Sequence, residues 1–173
     1  MNNNIEKVYV GITDTEWYFY LKGKKEAGEL GDEINFWTPG STNFKAINFG
    51  EIFLFKMHNR KNKGENGEII GGGIFKEYLE MTALEAWNRF GNGNGAEDFS
   101  EMSMVINDYR KRNNMKSNRN IGCIVLTDIF FIPRSKWIKS PEDWNRSIVR
   151  GKTYKCTEGI GKELKEIALE YIK

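Results

Sequence analysis

The sequence is poor in the residues that build metal centres and disulfide frameworks. Its 173 residues include one histidine, two cysteines and three prolines. Because His58 stands alone, clusters of several histidines are excluded, and so is an HNH nuclease centre, which needs two. Cys123 and Cys156 form no C-x-x-C pair and predict no zinc site. We therefore expect no metal, no cofactor and no catalytic residues, and Cys123 is expected to be a small buried hydrophobe.

Long apolar segments and a strong net charge are also lacking. No stretch approaches ~18 apolar residues, and the start, MNNNIEK, has no apolar signal core. These absences predict a cytoplasmic protein without a membrane partner. The net charge is only +2, so overall basicity does not indicate nucleic acid. The length predicts a single domain over residues 1–173 that buries its own core.

The usual sequence signatures of enzymes are missing too. There is no G-x-S-x-G elbow, and the glycine-rich stretches GNGNG (91–95) and GGG (71–73) lack the Lys-Ser/Thr of a P-loop. GGG also lacks the strand–G-x-G-x-x-G–helix order of a dinucleotide site. The sequence thus favours a binding protein, and an enzyme with an unrecognised site stays the alternative.

Hydrophobic periodicity predicts an α+β fold of about five or six strands and three or four helices. No alternation of strand and helix at βαβ spacing occurs, which disfavours a parallel doubly wound sheet and favours a small β-barrel with flanking helices. Strands are predicted at 7–12, 33–37, 45–57, 69–76 and 121–132. Helices are predicted after Thr13 or Asp14, over 82–91 and 99–112, at 140–148 as one short turn of helix, and at the C-terminus.

Some of these elements carry local signals of their own. Thr82 is followed three residues later by Glu85, and Gly91 ends that helix, which is the pattern of a capped helix. Ser100 is the expected cap of the helix over 99–112. Three successive glycines inside the strand IIGGGIFKEYLEM (69–81) predict a bulge or a close approach by another backbone.

Basic residues are segregated from acidic ones along the chain. The stretches KMHNRKNKG (56–64) and RKRNNMKSNR (110–119) contain no acidic residue. A nearly neutral protein with this segregation can present a positive face to phosphates, although solvated loops explain either run alone. The candidate phosphate-binding residues are Lys56, Arg60, Lys61, Lys63, Arg110, Lys111, Arg112 and Arg119.

Large aromatic residues lie at the ends of predicted elements. In INFWTPG (34–40), Phe36 and Trp37 come directly before a Pro-Gly turn, whereas Phe53 and Phe55 lie in the middle of an apolar strand. Aromatic rings at such positions fill a core or form a stacking platform for a base.

Six stretches, in order, resemble the N-terminal domain of a family of bacterial HNH restriction endonucleases, which belongs to the PUA-like superfamily close to the EVE, YTH and SRA domains. The resemblance covers about residues 6–156. The stretches are VGITDTEWYFYL, EINFWTPGSTNFKAINFGEIFLFKMH, IIGGGIF, AWNRFGNGNGA, NIGCIVLTDIFFIPRSKW and DWNRSIVRGKTY. The nuclease motif of that family lies C-terminal to this domain and is missing from the sequence.

The resemblance implies a compact PUA-like β-barrel that reads modified double-stranded DNA. Such domains commonly flip one base into an aromatic cage, and an HNH nuclease domain in cis or in trans does the cutting. Position in the matching blocks places Asn35, Phe36 and Trp37 at the pocket wall and Trp17 and Asp14 near the same rim. Trp37 is expected to stack on the base opposite Trp17 or Phe36, and Asp14 or Asn35 to read its polar edge. The base itself stays open between 5-methylcytosine, 5-hydroxymethylcytosine and N6-methyladenine. An RNA-binding PUA-like module and a small-ligand-binding barrel are the alternatives.

Overall fold

The computed structural model describes residues 4–40, 43–116 and 119–172. Within these ranges the helices are α1 (Thr15–Glu26), α2 (Ala83–Phe90), α3 (Phe99–Arg112) and α4 (Gly159–Tyr171). The strands are β1 (Lys7–Thr13), β2 (Ile34–Thr38), β3 (Ile52–Met57), β4 (Asn59–Arg60), β5 (Glu65–Asn66), β6 (Ile69–Met81), β7 (Ile121–Phe131) and β8 (Gly151–Lys155). Residues 140–148, predicted to include a short helix, form turns instead.

Six strands form one mixed sheet in the order β2-β7-β6-β3-β1-β8, and β4 pairs with β5 in a separate two-stranded sheet. β1 and β3 are parallel, whereas β1 with β8, β2 with β7 and β3 with β6 are antiparallel. The predicted α+β class is confirmed. The predicted barrel is not: among the described residues the sheet is open, because β2 and β8 are its edges and do not pair with each other.

The chain divides into two compact units. Unit 1 contains Met1–Thr15, Lys45–Phe75 and Thr127–Lys173, and unit 2 contains Glu16–Phe44 and Lys76–Leu126. The single domain predicted over residues 1–173 stays a prediction. No helix in the described part of the chain has both the length and the apolar character needed to cross a membrane.

The core of unit 1 is built around β3, all of whose side chains are buried. One face of the sheet packs Leu164 and Ala168 of α4 against the strands, and the Tyr171 ring stacks on Phe130 at 5.5 Å. The Phe53 ring packs against Phe55, with centroids 5.9 Å apart. A strand covered on both faces explains why its sequence is continuously apolar.

The glycine run in β6 serves a close approach of two backbones. A Cβ added to Gly72 would lie 2.5 Å from the carbonyl oxygen of Phe53. The register between β3 and β6 also shifts between Phe55 and Lys56, as at a bulge. Both features predicted from the three glycines are therefore present.

The core of unit 2 lies between the sheet and helices α2 and α3. Ala86 and Phe90 of α2 pack with Met102 and Ile106 of α3. The predicted cap of α2 is confirmed, since the Thr82 side chain accepts a hydrogen bond from the Glu85 backbone N–H at 3.2 Å. The predicted cap of α3 is wrong, because Asp98 rather than Ser100 fills this role and accepts from Glu101 N–H at 2.8 Å.

Candidate functional site

Asn35 and Trp37 lie on the face of β2 that packs against α2 and α3. In an antiparallel pair, directly opposed residues share one face. Asn35 opposes Val125 and Trp37 opposes Cys123, and both partners belong to the core of unit 2. The indole Nε1 of Trp37 donates to the backbone carbonyl of Asn94 at 2.9 Å. Trp37, although half-buried, therefore anchors β2 onto this core.

Asn35 belongs to a buried amide network centred on Asn94. The Asn94 amide donates to the carbonyls of Ala86 (3.1 Å) and Gly91 (2.8 Å). Because both its hydrogens are used there, its Oδ1 faces Asn35, which donates to it at 2.9 Å. The Asn35 Nδ2 also lies 3.3 Å from the sulfur of Cys123. The orientation of both amides is thus fixed by backbone carbonyls.

The fixed orientation leaves one acceptor without a partner. The Oδ1 of Asn35, on a fully buried side chain, makes no hydrogen bond to any described residue. Cys123 beside it is buried as predicted, and burial raises the pKa of its thiol to about 11. The thiol therefore stays protonated and a poor nucleophile at neutral pH.

Replacing Asn94 with alanine should destabilise the protein by roughly 2–4 kcal/mol, because the Asn35 amide would lose a buried acceptor and two carbonyls would lose a donor. The measurement is urea unfolding. Asn92→Ala is the matched control from the same turn, since its amide bonds the Glu29 carbonyl at the surface, and it should cost less than about 1 kcal/mol. Equal losses for the two variants would contradict the buried network.

Phe36 lies on the opposite face of β2 and is half-buried. It opposes Ile124 across the β2–β7 pair. Its ring meets the Trp17 ring edge-on, with centroids 5.3 Å apart and planes at 78°. Trp17, on α1, is only 8% exposed, and a Cβ added to Gly95 would lie 2.0 Å from its ring. Trp17 is therefore packed tightly against Gly95 and contacts the Phe36 ring edge-on.

Two hydroxyl groups, those of Thr38 and Tyr78, lie beside Gly122 in unit 2. A Cβ added to Gly122 would lie 2.7 Å from the Thr38 hydroxyl and 2.8 Å from the Tyr78 hydroxyl. Thr38 opposes Gly122 and so shares the face of Phe36. The Tyr78 hydroxyl accepts from the Asn43 backbone N–H at 3.1 Å. We call the half-buried residues Phe36, Thr38 and Tyr78, with Gly122 between them, the aromatic face.

The residues of the predicted cage are thus divided by the alternation of β2. Phe36 and Trp17 meet on one face, whereas Asn35 and Trp37 meet Asn94 on the other. Consecutive strand residues point to opposite sides of a sheet, so Phe36 and Trp37 are not two walls around one base. Asp14, the remaining member, is exposed in unit 1.

The predicted phosphate-binding residues differ in exposure. Arg60 is half-buried, whereas Lys61, Lys63, Lys111, Arg112 and Arg119 are exposed. Arg110 is 5% exposed, and its Nε donates to the carbonyl of Pro39 at 3.2 Å. Lys56 is 2% exposed. The structure therefore turns Arg110 and Lys56 inward.

Polar side chains of unit 1 gather at the carboxyl ends of the parallel strands β1 and β3. Glu65 is 5% exposed and accepts from Thr15 Oγ1 at 2.7 Å and from Arg60 Nη2 at 3.0 Å. The hydrogen bonds from Arg60 are the main reason that the pKa of Glu65 is lowered. Burial, followed by the charge of Arg60, lowers the pKa of His58, against the opposing effects of Glu65 and Asp14. His58 is therefore neutral at pH 7.

Sequence patterns gave weak signals for two residues of these sites. Tyr78 alternates with Leu79 and Met81, which pack on the core of unit 2, so strand periodicity places it on the opposite face. Glu65 stands in a polar, glycine-rich stretch that is typical of a solvated loop, but in the structure it is buried, opposes Arg60 across β4 and β5, and accepts a hydrogen bond from Thr15.

No protein-family model matches the chain, and no curated protein matches it. The resemblance to PUA-like domains thus stays an expectation from the sequence motifs.

Proposed function

We propose that the chain is a DNA-binding reader of modified bases, the recognition module of a modification-dependent restriction system. The observation that carries the proposal is the aromatic face of unit 2. Phe36 and Tyr78 are half-buried, as a stacking platform must be, and Trp17 braces the Phe36 ring from its edge at 5.3 Å. A flipped base stacks on this face.

The free energy gained by stacking the flipped base is similar in size to the cost of flipping it. Flipping a base out of the duplex costs a few kcal/mol, and stacking on an aromatic ring returns about 1–3 kcal/mol per base. The hydroxyls of Thr38 and Tyr78 donate to the Gly40 carbonyl at 2.7 Å and to Glu80 Oε1 at 3.2 Å, so they offer acceptors to the polar edge of the base. A methyl group adds only about 0.8 kcal/mol by burial, so preference for 5-methylcytosine, 5-hydroxymethylcytosine or N6-methyladenine depends mainly on whether these polar groups find partners.

Phosphate contacts supply the remainder of the affinity in this proposal. The exposed cations Lys111 and Arg112, in the last turn of α3, and Arg119, after it, belong to the same unit as the aromatic face. Lys61 and Lys63 form a second exposed basic turn in unit 1. The proposed protein binds without cutting: an HNH nuclease domain in cis or in trans acts on the DNA, in the cytoplasm.

Reversing the charges of Lys111 and Arg112 to glutamate should weaken binding to modified and unmodified duplexes about equally. Each phosphate contact contributes a slope of about −0.9 to the plot of log affinity against log salt, so losing two contacts should flatten the slope by about 1.8. Fluorescence anisotropy across a salt series measures both quantities. The control is Lys162→Glu with Lys155→Glu, two exposed cations of unit 1, which should leave the slope unchanged. An unaltered slope for the first variant would remove α3 from the interface.

The proposal itself is tested with matched duplexes that differ in one base: unmodified, 5-methylcytosine, 5-hydroxymethylcytosine or N6-methyladenine. The expected result is tighter binding to at least one modified duplex. Matched RNA duplexes and single strands are the comparison arm. Preference for RNA would favour the RNA-binding alternative, and no binding to any nucleic acid would favour a small-ligand-binding protein.

A further inference from the structure

Lys56 is a lysine near the end of the buried apolar strand β3. Its neighbours Phe55 and Met57 are 0% and 4% exposed, and Lys56 itself is 2% exposed. The register of β3 against β6 shifts between Phe55 and Lys56. The extra residue of this irregularity, Ile70, lies on β6, and bulges are frequent beside functional sites.

The contacts of the Lys56 ammonium lack an acceptor. Its Nζ lies 4.5 Å from the centroid of the Trp144 ring. A Cβ added to Gly67 would lie 2.8 Å from Nζ, so the ammonium lies close to this glycine, whose φ is +72°. Among the described residues the ammonium makes no ion pair and no hydrogen bond, yet the nitrogen is not sealed from solvent. Lys56 is therefore a cation held in a fixed place with its hydrogen-bonding capacity unused.

The arrangement is costly unless another group completes it. A cation over an indole ring gains about 0.5–2 kcal/mol, whereas removing an ammonium from water costs several kcal/mol. In agreement, burial lowers the pKa of Lys56.

The charges around Lys56 do not neutralise it. Arg60 and Glu65 pair with each other, and Asp143, next to Trp144, pairs with Lys152 and accepts from the Tyr154 hydroxyl. Of the other groups that face this end of the strand, His58 is neutral at pH 7 and Asp14 is exposed. An anion supplied from solution is the complement that the site lacks.

We propose that the Lys56 ammonium, which lies over the indole face of Trp144 and beside Gly67, is a binding site for a small oxyanion, a phosphate or carboxylate group. Because the side chain is only 2% exposed, the proposed ligand is a small ion rather than the backbone of a duplex. The site lies in unit 1 and does not depend on the proposed reading of DNA by unit 2.

The test is thermal unfolding with inorganic phosphate or acetate, against chloride at equal ionic strength. A ligand that binds only the folded protein raises its melting temperature, and we expect this for the natural protein. Lys56→Met, which keeps the length of the side chain, should fold with equal or higher stability and lose the anion-dependent rise, with binding at least about tenfold weaker by calorimetry. Lys139→Met, which removes an exposed lysine of unit 1, is the matched control and should keep the rise.

A second measurement uses the natural protein alone. Titration with phosphate should shift the side-chain NMR signal of Lys56, which is distinguished from other lysine signals because it titrates at lower pH. The proposal would be overturned if phosphate caused no shift and no stabilisation, so that any dissociation constant exceeded about 1 mM. It would also be overturned if the anion response survived in Lys56→Met. A loss of duplex binding in that variant would overturn it too and would instead assign Lys56 to the DNA interface.

Discussion

Phe36→Ala is expected to abolish the preference for a modified over an unmodified duplex while leaving the fold in place. Stacking on one ring is worth about 1–3 kcal/mol per base, which corresponds to a loss of about 5- to 150-fold in affinity for the flipped-base complex. Because Phe36 is half-buried, its truncation should cost only roughly 1–2 kcal/mol of stability. Non-specific binding through phosphates should persist.

The neighbouring residue provides the matched control. Trp37 packs on the core of unit 2 and donates a hydrogen bond to Asn94 at 2.9 Å. Trp37→Ala should therefore lower the stability by roughly 2–4 kcal/mol and leave the ratio of affinities for modified and unmodified DNA unchanged in the fraction that stays folded.

Both properties are measured on the same preparations, by urea unfolding and by anisotropy with duplexes that differ in one base. The reverse pattern, in which Trp37→Ala loses discrimination and Phe36→Ala retains it, would reject the aromatic face and restore the pocket expected from INFWTPG. Tyr78→Phe separates the role of the hydroxyl from that of the ring.

Phe55→Ala is expected to destabilise the protein by roughly 3–5 kcal/mol, the range for truncation of a fully buried aromatic residue. The Phe55 side chain is 0% exposed and packs on Phe53, in a strand that is covered on both faces. The cavity cannot readily collapse, since Gly72 already brings β6 against the Phe53 carbonyl.

Chemical denaturation measures this loss, and Phe49→Ala is its control. Phe49 is 76% exposed, so its truncation should change the free energy of unfolding by less than about 0.5 kcal/mol. A loss below about 1 kcal/mol for Phe55→Ala would mean that the core around β3 is loosely packed.

Features whose causes are local could be predicted from the sequence. The cap of α2 depends on Thr82 and Glu85, three residues apart, and the apolar run of β3 indicates a strand buried on both faces wherever its partners lie. The three glycines likewise predicted a close approach of two backbones, because only glycine permits it. The α+β class followed from the same local periodicities.

Features that depend on long-range pairing were decided only by the tertiary structure. Asn35, Phe36 and Trp37 are consecutive in the sequence. The register of β2 against β7 nevertheless places Phe36 on one face and its two neighbours on the other. Lys56 and Arg110 read as surface cations. The first is buried, with its ammonium over the Trp144 ring and beside Gly67, and the second donates to the carbonyl of Pro39. Side-chain type determines what an interaction is worth, whereas burial and partners depend on residues distant in the chain, which no local pattern specifies.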